Sequence, residues 1–326
     1  MSKIRIGIVG YGNVAAGAVK AISAASDMEL IAVFTRRDPD TVRLQEGNAP
    51  ILPVSAANDM KDAIDVMLLC GGSAKDLPEQ GPFFARSFNI VDSFDTHTKI
   101  PGYLAAVDTE AAPAKKTAII STGWDPGLFS IMRIYSEAVI PDGATYTFWG
   151  KGVSQGHSDA IRRIPGVAHA VQYTIPVEDA VEMVRKGERP ELTARQKHKR
   201  ECYVAVLPGA DEAEIEKTIK EMPDYFSDYD TTVTFVEIDE LFSKHGKMPH
   251  GGIVMRSGNT GENKQNMEFS LKLESNPEFT GSIMVAYARA AFRMSQEGIF
   301  GAKTVFDIPP VYLSPVNRDK LIKNLL

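Results

Sequence analysis

Cysteine is nearly absent. The 326-residue chain holds two, Cys70 and Cys202, and neither has a second Cys or a His at ligand spacing. No disulfide framework and no metal site is therefore expected, and two reduced thiols suit a cytoplasmic protein. Long apolar runs are missing as well: none nears the roughly 18 residues that span a bilayer. The run Ile4-Arg5-Ile6-Gly7-Ile8-Val9 reads as a strand rather than as the apolar region of a secretory signal. No membrane partner is expected. Nor is there an excess of positive charge, since 36 Lys plus Arg against 42 Asp plus Glu leaves −6, with both signs interspersed. That balance argues against a nucleic-acid partner. Internal repeats and low-complexity tracts are lacking too. What is present, 44% apolar and 24% charged residues, is the make-up of an ordinary globular protein, and the length suggests about two domains.

The first third alternates short β-branched runs with helical stretches, the pattern of parallel strands joined by crossover helices. Strands are expected over residues 4–10, 28–34, 63–70, 90–92 and 117–121, with a helix over residues 14–26. From about Trp124 the character changes. Residues 145–149, 201–206, 231–238 and 266–274 alternate apolar and polar side chains, which indicates an antiparallel sheet with one wet face. Residues 212–221 read as a charged amphipathic helix, and residues 280–297 as a longer one with an Ala-rich stripe. The tail, punctuated by Pro309-Pro310 and Pro315, ends in a short helix able to pack back on the first domain. The expected fold is α/β: a doubly wound parallel sheet over residues 1–122 with the 300–326 tail packed on it, and an α+β domain over residues 123–299 with a mixed or antiparallel sheet.

Gly10-Tyr11-Gly12-Asn13-Val14-Ala15 is G-x-G-x-x-A, placed directly after the first strand and opening the first helix. Gly10 permits the tight turn, Gly12 lets backbone approach a pyrophosphate, and Ala15 is small enough for close packing of helix on strand. The helix N-terminus then offers N–H groups to the anion. At the end of the second strand a carboxylate would bind a ribose 2′-hydroxyl, but Thr35-Arg36-Arg37 stands there instead. A hydroxyl and two guanidiniums suit a 2′-phosphate, and so NADP; a solvated arginine pair at a loop start is the plainer alternative. Cys70-Gly71-Gly72-Ser73-Ala74, ending a later strand, is expected to form the next wall of the cofactor cleft, with Cys70, Gly71, Ser73 and Ala74 as contacts.

Two further strand ends are dense in polar groups: Val91-Asp92-Ser93-Phe94-Asp95-Thr96-His97 and Ser121-Thr122-Gly123-Trp124-Asp125-Pro126-Gly127. Asp92 is counted with the cofactor residues. Asp95 and Asp125 are able to share an ammonium ligand, and each is equally able to cap a turn. Further on, the run from Trp149 to Asp159 gathers glycines and serines around Gln155, Gly156 and Asp159 and looks like a binding loop. Lys197-His198-Lys199-Arg200 is basic, and a charge run is ordinarily a solvated face. Met248-Pro249-His250-Gly251-Gly252 sets a histidine beside two glycines.

These strings, taken in order, resemble the meso-diaminopimelate dehydrogenase family. The matching stretches include Val9 to Asn13, Phe34 to Arg37, Ser121 to Gly127, Thr147 to Gly150, Ser154 to Asp159, Val171 to Thr174, Lys197 to Arg200, Met222 to Phe226 and Met248 to Gly252, which together run along nearly the whole chain. Ser154-Gln155-Gly156-His157-Ser158-Asp159 and Ser121-Thr122-Gly123-Trp124-Asp125-Pro126-Gly127 are the most specific. The resemblance implies a Rossmann-like cofactor domain, a substrate and dimerisation domain, a homodimer, and reversible NADP-dependent oxidative deamination of meso-2,6-diaminopimelate. By the same resemblance Asp95, Trp124, Asp125 and Trp149 surround the D-configured centre. Thr174, His198, Arg200, His250 and Asn276 hold the distal L-configured end, and Gln155 and Asp159 belong to the intervening loop. Thr35 is a departure from the Ser of some relatives, and it keeps the hydroxyl.

Overall fold

The computed structural model describes residues 3–326, which divide into two compact units, residues 3–131 with 277–326, and residues 132–276. In the first unit seven parallel strands lie in the order Gly301–Lys303, Thr117–Ile119, Asn89–Asp92, Val66–Leu69, Ile4–Val9, Met28–Thr35 and Ile51–Pro53. Each strand feeds both faces, as the two-residue side-chain period demands. Ile6, Ile8, Val66 and Leu68 enter one apolar core, while Val9, Met67 and Leu69 enter the other. The strand expected over 63–70 contracts to Val66–Leu69. Its leading residue Asp65 is drawn instead to Arg5, whose Nη2 lies 2.7 Å from the carboxylate.

The last long helix, Asn276–Gln296, corrects the expected domain boundary. It belongs to the first unit from Pro277 onward, together with residues 123–131, because small residues let it touch the first helix, Asn13–Ala24, backbone to backbone. A Cβ on Gly281 would lie 2.4 Å from the Ala18 nitrogen, and one on Gly17 would lie 2.5 Å from the Glu278 Cα. Buried Arg289 secures the same helix through both carboxylate oxygens of Asp27, at 2.6 and 2.8 Å. The residues after 300 belong to this unit, and the short helix Arg318–Leu325 ends it.

In the second unit one sheet runs Asp230–Phe235, His198–Val206, Val167–Pro176, Gly152–Val153, and another runs Asn263–Leu273, His250–Thr260, Asp142–Trp149. All pairings are antiparallel except that of Asp230–Phe235 with His198–Val206, so the first sheet is mixed. The strand expected over 231–238 stops at Phe235, and Ile238 opens the helix Ile238–His245. No helix among the described residues is long and apolar enough to cross a membrane.

Candidate active site

In the first unit a groove of about 230 Å³ opens at the carboxyl ends of the strands, lined by Gly10, Tyr11, Gly12, Thr35, Arg36, Arg37, Cys70 and Gly71 among others. Gly10 sits at φ +83° beneath it, held by its N–H to the Phe34 carbonyl at 2.8 Å. A Cβ on Gly12 would meet nothing within 4 Å, and the helix it opens has neither a side-chain cap nor an acidic residue in its first turn. The positive end of that helix is thus left for an anion.

Thr35 is buried and accepts the Arg37 N–H at 3.0 Å, while the Arg37 guanidinium donates to the Tyr11 carbonyl at 2.5 Å. Arg36 pairs at 2.7 Å with Asp76, a groove carboxylate that sequence reasoning missed and whose other oxygen accepts the Gly72 N–H. One oxygen occupies only part of a five-donor fork, so Arg36 keeps N–H groups for phosphate. Burial pushes the Cys70 thiol up to about 12, which keeps it protonated and inert.

Ser73, Ala74, Asn13 and Val14 do not line the groove. The Ser73 hydroxyl instead accepts the Asp95 N–H at 2.9 Å, tying the glycine-rich turn to the next loop. The assignment of Asp92 to the cofactor is corrected: its side chain is wholly buried. One oxygen accepts the Tyr103 hydroxyl at 2.6 Å and the other accepts the N–H groups of Phe94 and Ser121 at 2.9 and 3.0 Å. Burial raises its carboxyl to about 6 against those bonds. Asp95 is exposed and Asp125 half-buried. Trp124 is buried edge-on to Phe129 at 5.2 Å, in a turn closed by Gly123 N–H to Pro126 O and Leu128 N–H to Gly123 O.

In the second unit alternation along the His198–Val206 strand sends His198 and Arg200 inward and Lys199 outward. Across the ladder Arg200 faces Thr174, whose hydroxyl accepts its Nη1. The guanidinium also lies 3.9 Å over the Tyr229 ring, a cation–π contact. Arg200 has no acidic partner among the described residues, and its Nε and the neighbouring Gln172 Oε1 are buried without a hydrogen bond. Desolvation lowers its pKa. A buried cation without a counter-ion is costly.

His198 accepts the Trp149 N–H on Nε2 at 2.8 Å and stacks on the Trp149 ring at 5.2 Å, so the neutral ring carries its proton on Nδ1. His250 lies alongside, since a Cβ on Gly152 would fall 2.4 Å from its ring, and Gly152 pairs with Thr174. Asn276 joins through its N–H to the Met248 carbonyl at 2.9 Å. Trp149, Thr174, His198, Arg200, His250 and Asn276 are therefore gathered in one region. Gln155 and Asp159 sit exposed on the helix Gln155–Arg162, where Asp159 pairs with Arg162 at 2.9 Å and Gly156 faces open space. Gln172, Tyr229 and His157 were not singled out as candidates, although His157 and Gln172 lie within the matching stretches Ser154 to Asp159 and Val171 to Thr174, and the alternation of Gln172 with Thr174 is a second signal for the latter.

Burial, then Arg200, holds the His198 ring down to about 3 and that of His157 down to about 4. Both rings should stay neutral from pH 8 to 5 in ¹H–¹⁵N NMR, and titration of either within that window would contradict this packing. The unfolded chain takes up these protons near pH 6.5, so their contribution to stability is complete above that pH and declines as pH falls toward 4.

Fold and groove define a class: a dinucleotide-binding protein with a separate α+β unit. Residues 123–275 match the family described as Diaminopimelic acid dehydrogenase C-terminal domain. The chain is 62% identical over 327 residues to the meso-diaminopimelate D-dehydrogenase of Ureibacillus thermosphaericus, with 100% of both chains covered. It is 59% identical over 329 residues to that of Acetivibrio thermocellus, covering 100% of this chain and 98% of the relative. Among solved structures, a multiply substituted Clostridium tetani meso-DAP dehydrogenase with DAP superposes with TM-score 0.94 at 53% identity, over 99% of this chain and 100% of that one. An engineered D-amino acid dehydrogenase bound to NADP+ gives 0.87 at 44%, over 100% of both. The chain belongs to the meso-diaminopimelate D-dehydrogenase family.

Proposed function

We propose that this enzyme converts meso-2,6-diaminopimelate, NADP⁺ and water to L-2-amino-6-oxopimelate, ammonium, NADPH and a proton, reversibly, as a cytoplasmic homodimer serving lysine and peptidoglycan-precursor synthesis. The observation that carries the substrate reading is Arg200, a buried guanidinium with no acidic partner, braced by Thr174 and Tyr229. A substrate carboxylate supplies the missing charge through a bidentate pair. His198, His250 and Asn276 complete the recognition of the distal amino acid, with Gln155 and Asp159 on the adjoining helix. Because the two ends of the substrate differ only in chirality, clamping one in a single pose is what selects the other for reaction.

The groove fits NADP: Gly10 and Gly12 admit the pyrophosphate, while Thr35, Arg36 and Arg37 receive the 2′-phosphate. When bound, the nicotinamide accepts the hydride that leaves the D-centre. Asp95 and Asp125 bind the reacting ammonium beside Trp124 and accept its proton, since hydride departure needs the amine lone pair. Water then adds at the oxidised carbon and ammonia leaves.

Incubation with NADP⁺ and the separated meso, LL and DD isomers, followed by NADPH absorbance, tests cofactor, substrate and stereochemistry together. Turnover confined to the meso isomer is expected; equal turnover of the LL or the DD isomer would overturn the reading. Replacing Arg36 and Arg37 together by Ala should raise the NADP⁺ KM at least about tenfold more than the NAD⁺ KM, the loss of roughly one charge-assisted bond or more. Equal effects on the two cofactors would place the arginines elsewhere.

A further inference from the structure

The parallel ladder between Asn89–Asp92 and Thr117–Ile119 pairs only Ile90 with Ala118 and Val91 with Ile119. Beyond it the two chains separate into the loops that carry Asp95 and Asp125, and from there Asp92 takes over the work of the ladder. Its carbonyl accepts both the N–H and the hydroxyl of Thr122 at 2.8 Å. Its carboxylate accepts Phe94 N–H, one residue before Asp95, and Ser121 N–H on the opposite loop. Ser121 is held at φ +58°, a region that side chains other than glycine rarely occupy.

The carboxylate is itself fixed from a third element. Tyr103, on the helix Ile100–Ala111, donates its hydroxyl to the second oxygen at 2.6 Å, and its ring stacks on Phe94 at 4.2 Å and 27°. The helix Leu77–Ala85 makes room for that hydroxyl with Gly81, where a Cβ would lie 2.1 Å from the phenol oxygen. Three donors thus converge on two oxygens, none of the three is a cation, and the group has no solvent exposure. Only a carboxylate accepts all three, and burying one without a counter-charge is a costly way merely to close a loop.

We propose that Asp92 and Tyr103 are positioning residues for the reaction, a buried pair that holds the Asp95 loop and the Trp124-Asp125 loop at a fixed separation. The proposal rests on the roles given above to Asp95 and Asp125. Neither Asp92 nor Tyr103 lines the cofactor groove, so their loss separates catalysis from cofactor binding.

Tyr103→Phe keeps the ring on Phe94 and removes one donor. Asp92→Asn keeps an acceptor for Phe94 and Ser121 and removes the charge, so it serves if the first variant does not fold. Either should lower kcat per NADP⁺-binding site at least about tenfold, as expected for reacting groups held out of line. The NADPH Kd, from nucleotide fluorescence, should change less than about twofold, a difference below RT in free energy. The primary deuterium isotope effect on Cα–H cleavage should rise as hydride transfer becomes limiting, a response that simple loss of folded protein does not produce. Native kcat per binding site with an unchanged isotope effect, whatever the melting temperature, overturns the proposal. Asp95→Asn and Asp125→Asn in the same assay separate the two levels. If both turn over normally, the underlying reading of the site is wrong; if both fail while Tyr103→Phe and Asp92→Asn do not, only the positioning proposal falls.

Discussion

Arg200→Met should lose about 2–5 kcal/mol of transition-state stabilisation with meso-diaminopimelate, roughly 30- to 5,000-fold in kcat/KM, because the substrate's distal carboxylate is left without its partner. The loss should come without a loss of fold. In the free protein Arg200 is a buried cation with no acidic partner, and replacing such a charge by an apolar chain of similar length is often neutral or stabilising. Thermal melting of the variant is therefore expected at or above that of the parent. Simple D-amino acids lack the distal carboxylate, so any slow turnover of them should be affected far less. Equal loss on both substrates, or a variant that melts early, would assign Arg200 to architecture rather than to recognition.

Asp125→Asn should lower kcat/KM by at least about 10²-fold, the low end for a positioned proton-transfer group. The amide keeps the shape of the carboxylate, and the turn around it is closed by backbone bonds from Gly123 to Pro126 and from Leu128 to Gly123, which the substitution leaves in place. Gly127 at φ +132°, where a Cβ would fall 1.8 Å from the Gly123 oxygen, shapes the same turn through its backbone. NADP⁺ affinity and melting temperature should change little. Near-native turnover would remove Asp125 from the chemistry. A large drop in melting temperature with normal turnover per folded molecule would mark it as a turn former.

The parallel half of the fold was legible because its signals are local: a glycine pattern opening a helix, and short buried strands such as Val66–Leu69 whose every residue is apolar. The cofactor groove followed from the same pattern, since Gly10, Gly12 and the residues 35–37 end adjacent strands. The error at Asp92 is of another kind. A carboxylate at a strand end reads as a ligand group, and nothing nearby in sequence reveals that Tyr103, eleven residues on, covers it. The basic run at 197–200 misled in the opposite sense, because like charges suggest water, while strand alternation buries two of its members and exposes a third. Gln172 lies within the matching stretch Val171 to Thr174, but its place beside Arg200 follows only from sheet pairing, while Tyr229 lies outside any motif and reaches the guanidinium from the segment before Asp230–Phe235. The domain boundary failed where a contact between Gly17 and Gly281 joins segments more than 260 residues apart.

That contact also orders events during synthesis. The core on one face of the parallel sheet is completed by Met284, Val285, Tyr287, Ala288, Met294, Val305 and Ile308, all of which leave the ribosome after the whole second unit. At 5–20 residues per second, roughly 10–40 s separate the last central strand from the helix that covers it. Throughout that interval the nascent chain presents an uncovered apolar face, so the dinucleotide-binding unit, although first in sequence, finishes folding last.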